Sequence, residues 1–300
     1  MKDSPKISTL FPDLFLYPRP VISGTNPLVI NASLLIFEEV PMLPMVGGSE
    51  SPPVIDPETK LKKYMAVGGH PVLEAIMRAE PRDYQKLLWG TQSREIPVWI
   101  GSVRFKDSTL DDVLEIYEKT RSGDVVVEGE NNTLALLTLK EIASLLEAQR
   151  LVVSDLRVTD VGTEKVSVSS DVFIKDALKV MFSRRIRRVF VSGLQSNDQL
   201  HFISSRDIIR FLFTSQRLEL CKESPDLWLE ERISNVPSTI ARFVSDYGTL
   251  AHASRVIGKR TADCVVCKES DKVVSRWDLV MKPWKIGKLE VKGDWRSDLV

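Results

Sequence analysis

Three hundred residues with 43% hydrophobic content suffice for about two domains with buried cores, which excludes a disordered or fibrous chain. Net charge is zero, but residues 1–150 carry 16 Lys+Arg against 21 Asp+Glu and residues 151–300 carry 25 against 20, which favours an anionic partner for the second half. The apolar stretch LVINASLLIF is interrupted by Asn31 and Ser33 and falls far short of the roughly 20 residues of a membrane helix, and the start of the chain does not resemble a secretory signal, so no membrane contact and a cytoplasmic location are expected.

Taken in chain order, PVIS reads as a strand, PLVINASLLIFEEV as a helix, MLPMV and YMAV as strands, and HPVLEAIM as a closing helix. A long polar loop separates the two later strands, from Gly47 to about Lys63. The same order follows in PVWIGSV, a helix with Leu110, Val113, Leu114 and Tyr117 on one face, DVVVE, TLALLT and KEIASLLEA. It returns in KVSV, a helix with Asp171 as N-cap and Ile174, Ala177, Leu178 and Met181 on one face, RVFVSG, QLHFIS and DIIRFLF. A last copy runs TIARFV, a helix with Leu250, Ala253 and Ile257, DCVVC, DKVVS and DLVMK. Residues 216–232 read as a link and 285–300 as a tail. Three cysteines give no disulfide framework, and the C-x-x-C of Cys264 and Cys267 falls on a strand, where positions three apart face opposite sides about 10 Å apart.

A hydroxyl residue ends the last strand of each later copy, with an acid three positions on at the mouth of a helix: Thr138 and Glu141, Ser204 and Asp207, Ser275 and Asp278. In the first copy these places hold Gly68 and Pro71. The spacing of 70, 66 and 71 residues marks one unit used four times, and such a period decides architecture. The expected fold is α/β (α+β), four βαββα repeats at about 18–85, 97–149, 152–216 and 228–284. A three-stranded sheet with two helices leaves one face bare, so two tandem pairs are expected, 10–149 and 150–284.

Ser-x-x-Asp at a helix start is also a near capping box, and taken alone either pair reads as a cap. As a site, an ionised Asp207 offers two acceptor oxygens to the paired hydroxyls of a ribose, while Ser204 and free helix-start amides suit a phosphate. Arg184, Arg185, Arg187 and Arg188 add cationic forks, or else form a nucleic-acid patch. Glu141 carries an extra methylene that would push its oxygens too far.

These residues resemble the cystathionine-β-synthase-type (CBS) domain, whose tandem pairs are Bateman modules. The resemblance rests on HFISSRD (201–207) and DKVVSRWD (271–278), which match the family's Gly-apolar-apolar-Ser/Thr-x-x-Asp run except that His and Lys stand where Gly is usual. It implies a stand-alone regulatory protein, not an enzyme, that binds an adenosyl ligand (AMP, ADP, ATP or S-adenosylmethionine) in the C-terminal pair and modulates a protein partner, with homodimerisation possible. The residues it implicates are Ser204, Asp207, Arg188, Ser275, Asp278, Thr239, Ile240 and Thr138. No catalytic residue, metal or catalytic cofactor is implied. The layout of four copies is similar to the γ subunit of AMP-activated protein kinase. A nucleic-acid-binding or architectural protein with vestigial clefts is the alternative.

Overall fold

The computed structural model of the chain describes residues 4–16, 22–38, 42–45, 53–58, 61–96, 98–194, 199–258 and 263–292. One unit recurs: a strand, a crossover helix, a parallel strand, and an antiparallel return strand whose end opens a second helix. In the third repeat Ser167–Ser169 runs parallel to Arg188–Ser192 through the helix Ile174–Ser183, and His201–Ser204 returns before the helix Ser205–Leu212. The second repeat uses Val98–Arg104, Leu110–Thr120, Asp124–Glu128, Leu134–Thr138 and Leu139–Glu147 in the same roles. The fourth uses Phe243–Val244, Leu250–Gly258, Cys264–Cys267, Val273–Ser275 and Arg276–Lys285. In the first, the leading strand shrinks to a parallel bridge between Ile22 and Met45 across the helix Leu28–Phe37, after which Met42–Pro44 pairs with Lys62–Gly68 and Gly69–Arg78 closes the unit. Parallel neighbours cannot be joined by a tight turn, so each repeat needs its helix between the first two strands.

The chain's contacts cluster into two compact units, each drawing residues from both sides of position 149. One joins Pro20–Trp99 with Val166–Ile240, the first and third repeats; the other joins Met1–Arg19, Ile100–Lys165 and Ala241–Val300, the second and fourth. The cause is the helix pair on each short sheet. Its apolar stripe needs a second helix pair to cover it, and sequence adjacency does not choose which. Thus Val72, Leu73 and Ile76 share one buried cluster with Ile174, Leu178, Ile208, Ile209 and Leu212. In the other unit, Leu139–Glu147 packs on Leu250–Gly258, and Ser254 Oγ donates to the Ala143 carbonyl at 2.6 Å.

Four local expectations change. Asp171 is not an N-cap: the helix starts at Ile174, whose amide donates to Glu231 O at 2.8 Å, so backbone satisfies a position a side chain was expected to cap. Residues 216–232 are more than a link, since Ser215–Glu223 is helical and Cys221, Trp228 and Leu229 join the core, with the Trp228 ring 5.4 Å from that of Tyr84. TIARFV breaks into Thr239–Ile240, paired with His201 and Phe202, and Phe243–Val244, paired with Val266 and Cys267. The tail includes a strand, Leu289–Val291, antiparallel to Leu151–Val153. Residues beyond 292, and parts of PVIS and of the 47–63 loop, lie outside the described residues. Among the described residues no helix is long and apolar enough to cross a membrane.

Candidate functional site

The strand His201–Ser204 stops where its last residue caps the next helix. Ser204 keeps an extended backbone (φ −97°, ψ 163°); its Oγ accepts from the Asp207 amide at 3.3 Å and donates to Asp207 Oδ2 at 2.7 Å. The Ser204 amide donates to the same oxygen at 2.8 Å, which completes a reciprocal capping box. Ser275 and Asp278 repeat it, with the amide and hydroxyl of Ser275 donating to Asp278 Oδ2 at 2.9 and 2.6 Å. Thr138 does the same with Glu141, whose longer side chain curls back so that Oε2 accepts the Thr138 amide at 2.9 Å. The extra methylene is absorbed by folding back rather than by reaching outward. All three pairs are caps, and what distinguishes them is what stands around the cap.

Strand register supplies that. Residues directly opposite in an antiparallel pair put their side chains on the same face. Arg188 is opposite Ser204, Phe190 is opposite Phe202, and Thr239 is opposite Phe202 on its other side. Arg188, Ser204 and Thr239 therefore share one face with the Phe190 and Phe202 rings, whose centroids are 5.8 Å apart. Ile240 is opposite His201 and belongs to the other face, away from Arg188, Ser204 and Thr239, while Ser275, Asp278 and Thr138 belong to the fourth and second repeats. The His201 Nδ1 lies 2.9 Å from Ser238 Oγ, which ties the incoming 238–240 segment to the strand end. Asp207 is partly exposed, and no described residue donates to its Oδ1.

The equivalent face differs in every other repeat. Opposite Ser275 stands Cys264, and opposite Thr138 stands the buried Asp124, a second carboxylate near Glu141. Thr163, bridged to Val273, takes the place in the fourth repeat that Thr239 holds in the third. Asp278 is buried, and its Oδ1 is 3.1 Å from Lys282 Nζ. In the first repeat His70 packs on the Phe182 ring at 4.7 Å between centroids, and burial, aided by the nearby Arg187 charge, lowers its pKa to about 4. Asp124 and Lys282 were not singled out from the sequence, and Cys264 was weighed only within its C-x-x-C. The signal existed: Asp124 and Cys264 begin the strand before their own hydroxyl residues, and Lys282 lies one helical turn after Asp278. Among the described residues no group of His, Cys, Asp or Glu could hold a metal ion, and all three cysteines are unbridged and buried.

No family model and no curated protein matches the sequence. Among solved structures, the protein MJ1225 from Methanocaldococcus jannaschii, described as a proposed archaeal homolog of g-AMPK, is similar with a TM-score of 0.71 at 12% identity, over 89% of this chain and 97% of that one. An uncharacterized conserved protein from Pyrococcus horikoshii is similar over 81% of this chain and 96% of that one, at 15% identity and a TM-score of 0.48. The CBS domain protein PAE2072 from Pyrobaculum aerophilum, complexed with AMP, matches 42% of this chain and 91% of that one, at 18% identity and a TM-score of 0.33. At these identities the likeness is one of fold. The chain has the fold of a four-repeat CBS-type protein, as the hydroxyl–acid motif implied.

Proposed function

We propose that this chain is a non-catalytic regulatory protein that binds an adenosyl ligand at its third repeat and modulates a protein partner in response. The observation that carries the proposal is the convergence, on one sheet face and at one helix start, of Ser204, Arg188 and Thr239 with an Asp207 carboxylate that keeps one acceptor oxygen unmatched. A ribose diol needs such an acceptor. A phosphate needs the planar guanidinium fork of Arg188 together with the hydroxyl and helix-start amides beside it. The second repeat opposes its hydroxyl with Asp124 and the fourth with Cys264, so only the third puts a cation across from its cap. AMP, ADP and ATP suit this face better than S-adenosylmethionine, whose sulfonium adds a positive charge and which has no phosphate.

Ligand that binds only the folded state stabilises it by about 2.7 kcal/mol at a hundredfold excess over Kd. For a chain of this size that is a rise of several degrees in melting temperature. Thermal melting with AMP, ADP, ATP and S-adenosylmethionine is expected to show the rise with at least one phosphate-bearing ligand, and Asp207→Asn and Arg188→Gln are each expected to remove most of it. A second reading has one observation in its favour: Arg184, Arg185 and Arg187 are exposed in one run, and no carboxylate pairs with them among the described residues. A flat melt across the panel, with salt-sensitive retention on single-stranded DNA or RNA, would replace the first reading with this one.

A further inference from the structure

The fourth repeat carries the same hydroxyl and carboxylate as the third, yet both of its carboxylate oxygens are already engaged. Asp278 Oδ2 accepts from Ser275, and Oδ1 pairs with Lys282 Nζ at 3.1 Å, one helical turn on. The same Nζ donates to the Val161 carbonyl at 2.5 Å. Val161 ends the short helix Val158–Val161, and two residues later Thr163 is held to Val273 by amide bonds in both directions, 2.8 and 2.7 Å. Lys282 thus spans the gap between the acid at the helix start and the chain segment that flanks the strand end. In the third repeat these two walls are Asp207 and the 238–240 segment, and among the described residues no lysine stands at the matching place to join them: the residue four positions after Asp207 is Phe211. In the second repeat it is Leu145.

The arrangement is chemically complete without a ligand. An ammonium donates to a buried carboxylate and to a backbone carbonyl, which are acceptors of the kind a ribose hydroxyl and an amino-bearing base would otherwise meet. Asp278 is buried while the Lys282 side chain is 36% exposed, so an incoming diol would have to displace the lysine from a buried carboxylate that already holds its counter-charge. Asp278 preceding Lys282 by four residues is also the favourable order for a pair on a helix. Cys264 stands where Arg188 stands in the third repeat, so a site opened by removing the lysine would hold its ligand mainly by the diol and more weakly than the third repeat does.

We infer that Lys282 is an internal stand-in for ligand: it ties the helix Arg276–Lys285 to the 158–163 segment, closes the fourth repeat, and leaves the chain with a single ligand site at the third. The inference rests on the adenosyl-ligand reading above. Isothermal titration of the full chain with AMP and with ATP separates the two. The wild type takes up one equivalent, and Asp207→Asn abolishes it. Lys282→Met, which keeps the stem and removes the ammonium, takes up a second equivalent, and adding Asp278→Asn to it returns the count to one. Two equivalents in the wild type, with one surviving Asp207→Asn, overturn the closed-site inference and leave the sensor reading standing. A single equivalent in folded Lys282→Met also overturns it. Failure of the wild type to bind either nucleotide overturns both. Should Lys282→Met not fold, Lys282→Gln takes its place, and the wild-type count decides independently of either variant.

Discussion

His70 shows how a repeat can keep its backbone and lose its chemistry. It stands two residues after Gly68, where the third repeat has Arg206 two residues after Ser204, and it packs on Phe182 with no described partner for its Nδ1. Its folded pKa of about 4 lies below the ordinary 6.5, so between those values the unfolded chain binds the proton and the folded chain does not. The stabilisation is therefore complete above about pH 6.5 and is lost as pH falls towards 4, by up to about 3 kcal/mol. Melting curves from pH 7.5 to 4 are expected to fall across that window, and His70→Leu, which keeps an apolar contact with Phe182, is expected to flatten that part of the slope. A slope identical to wild type would show that the ring is not the titrating group. At this scale the hydroxyl and acid of each motif were legible because they sit in contiguous sequence. The face on which Ile240 stands was not legible, because it depends on strand register, and a shift of one residue reverses every side chain.

Among the elements, those with a clear 3.6 or 2 period were legible to within a few residues, as in Leu110–Thr120 and Asp124–Glu128. What the pattern could not show was where long-range backbone partners override it: the break inside TIARFV, the backbone-satisfied start at Ile174, and the late strand Leu289–Val291. Glycines give a measurable test of how tightly the elements fit. A Cβ added at Gly101 would stand 2.6 Å from Ile116 Cγ2, on the buried face of the helix Leu110–Thr120. Gly101→Ala is expected to destabilise by about 1–3 kcal/mol through overpacking. At Gly69, the first residue of the helix Gly69–Arg78, the nearest atoms are Ile209 methyls at 3.7 and 3.8 Å, an ordinary contact. Gly69→Ala is expected to be neutral or to stabilise by up to about 1 kcal/mol, by reducing unfolded-state freedom. Denaturant titration reads both, and equal effects would mean that the helix–strand spacing at Gly101 or the helix–helix spacing at Gly69 has been misjudged.

For the molecule as a whole, four repeats were readable from the period, but which helix pairs cover one another was not, because the apolar stripes of all four are alike in sequence. One core illustrates the consequence. The helices Ile174–Ser183 and Ser205–Leu212 bury Ile174, Leu178, Ile208, Ile209 and Leu212 in the cluster that also holds Val72, Leu73 and Ile76 from the first half of the chain. Cutting between residues 149 and 150 would strip both halves of that cover and expose contiguous apolar surface, which a soluble fragment must hide against something. The fragment 150–300 is therefore expected to self-associate in analytical ultracentrifugation, pairing its own exposed helices. Adding the fragment 1–149 in equal amount is expected to convert it to a one-to-one complex, because the native cover fits the stripe better than a second copy does. A fragment 150–300 that stays monomeric with a sharp, reversible melt would show that the helix-to-helix packing of first on third repeat, and of second on fourth, contributes little to stability, and that the sequential halves are the true folding units.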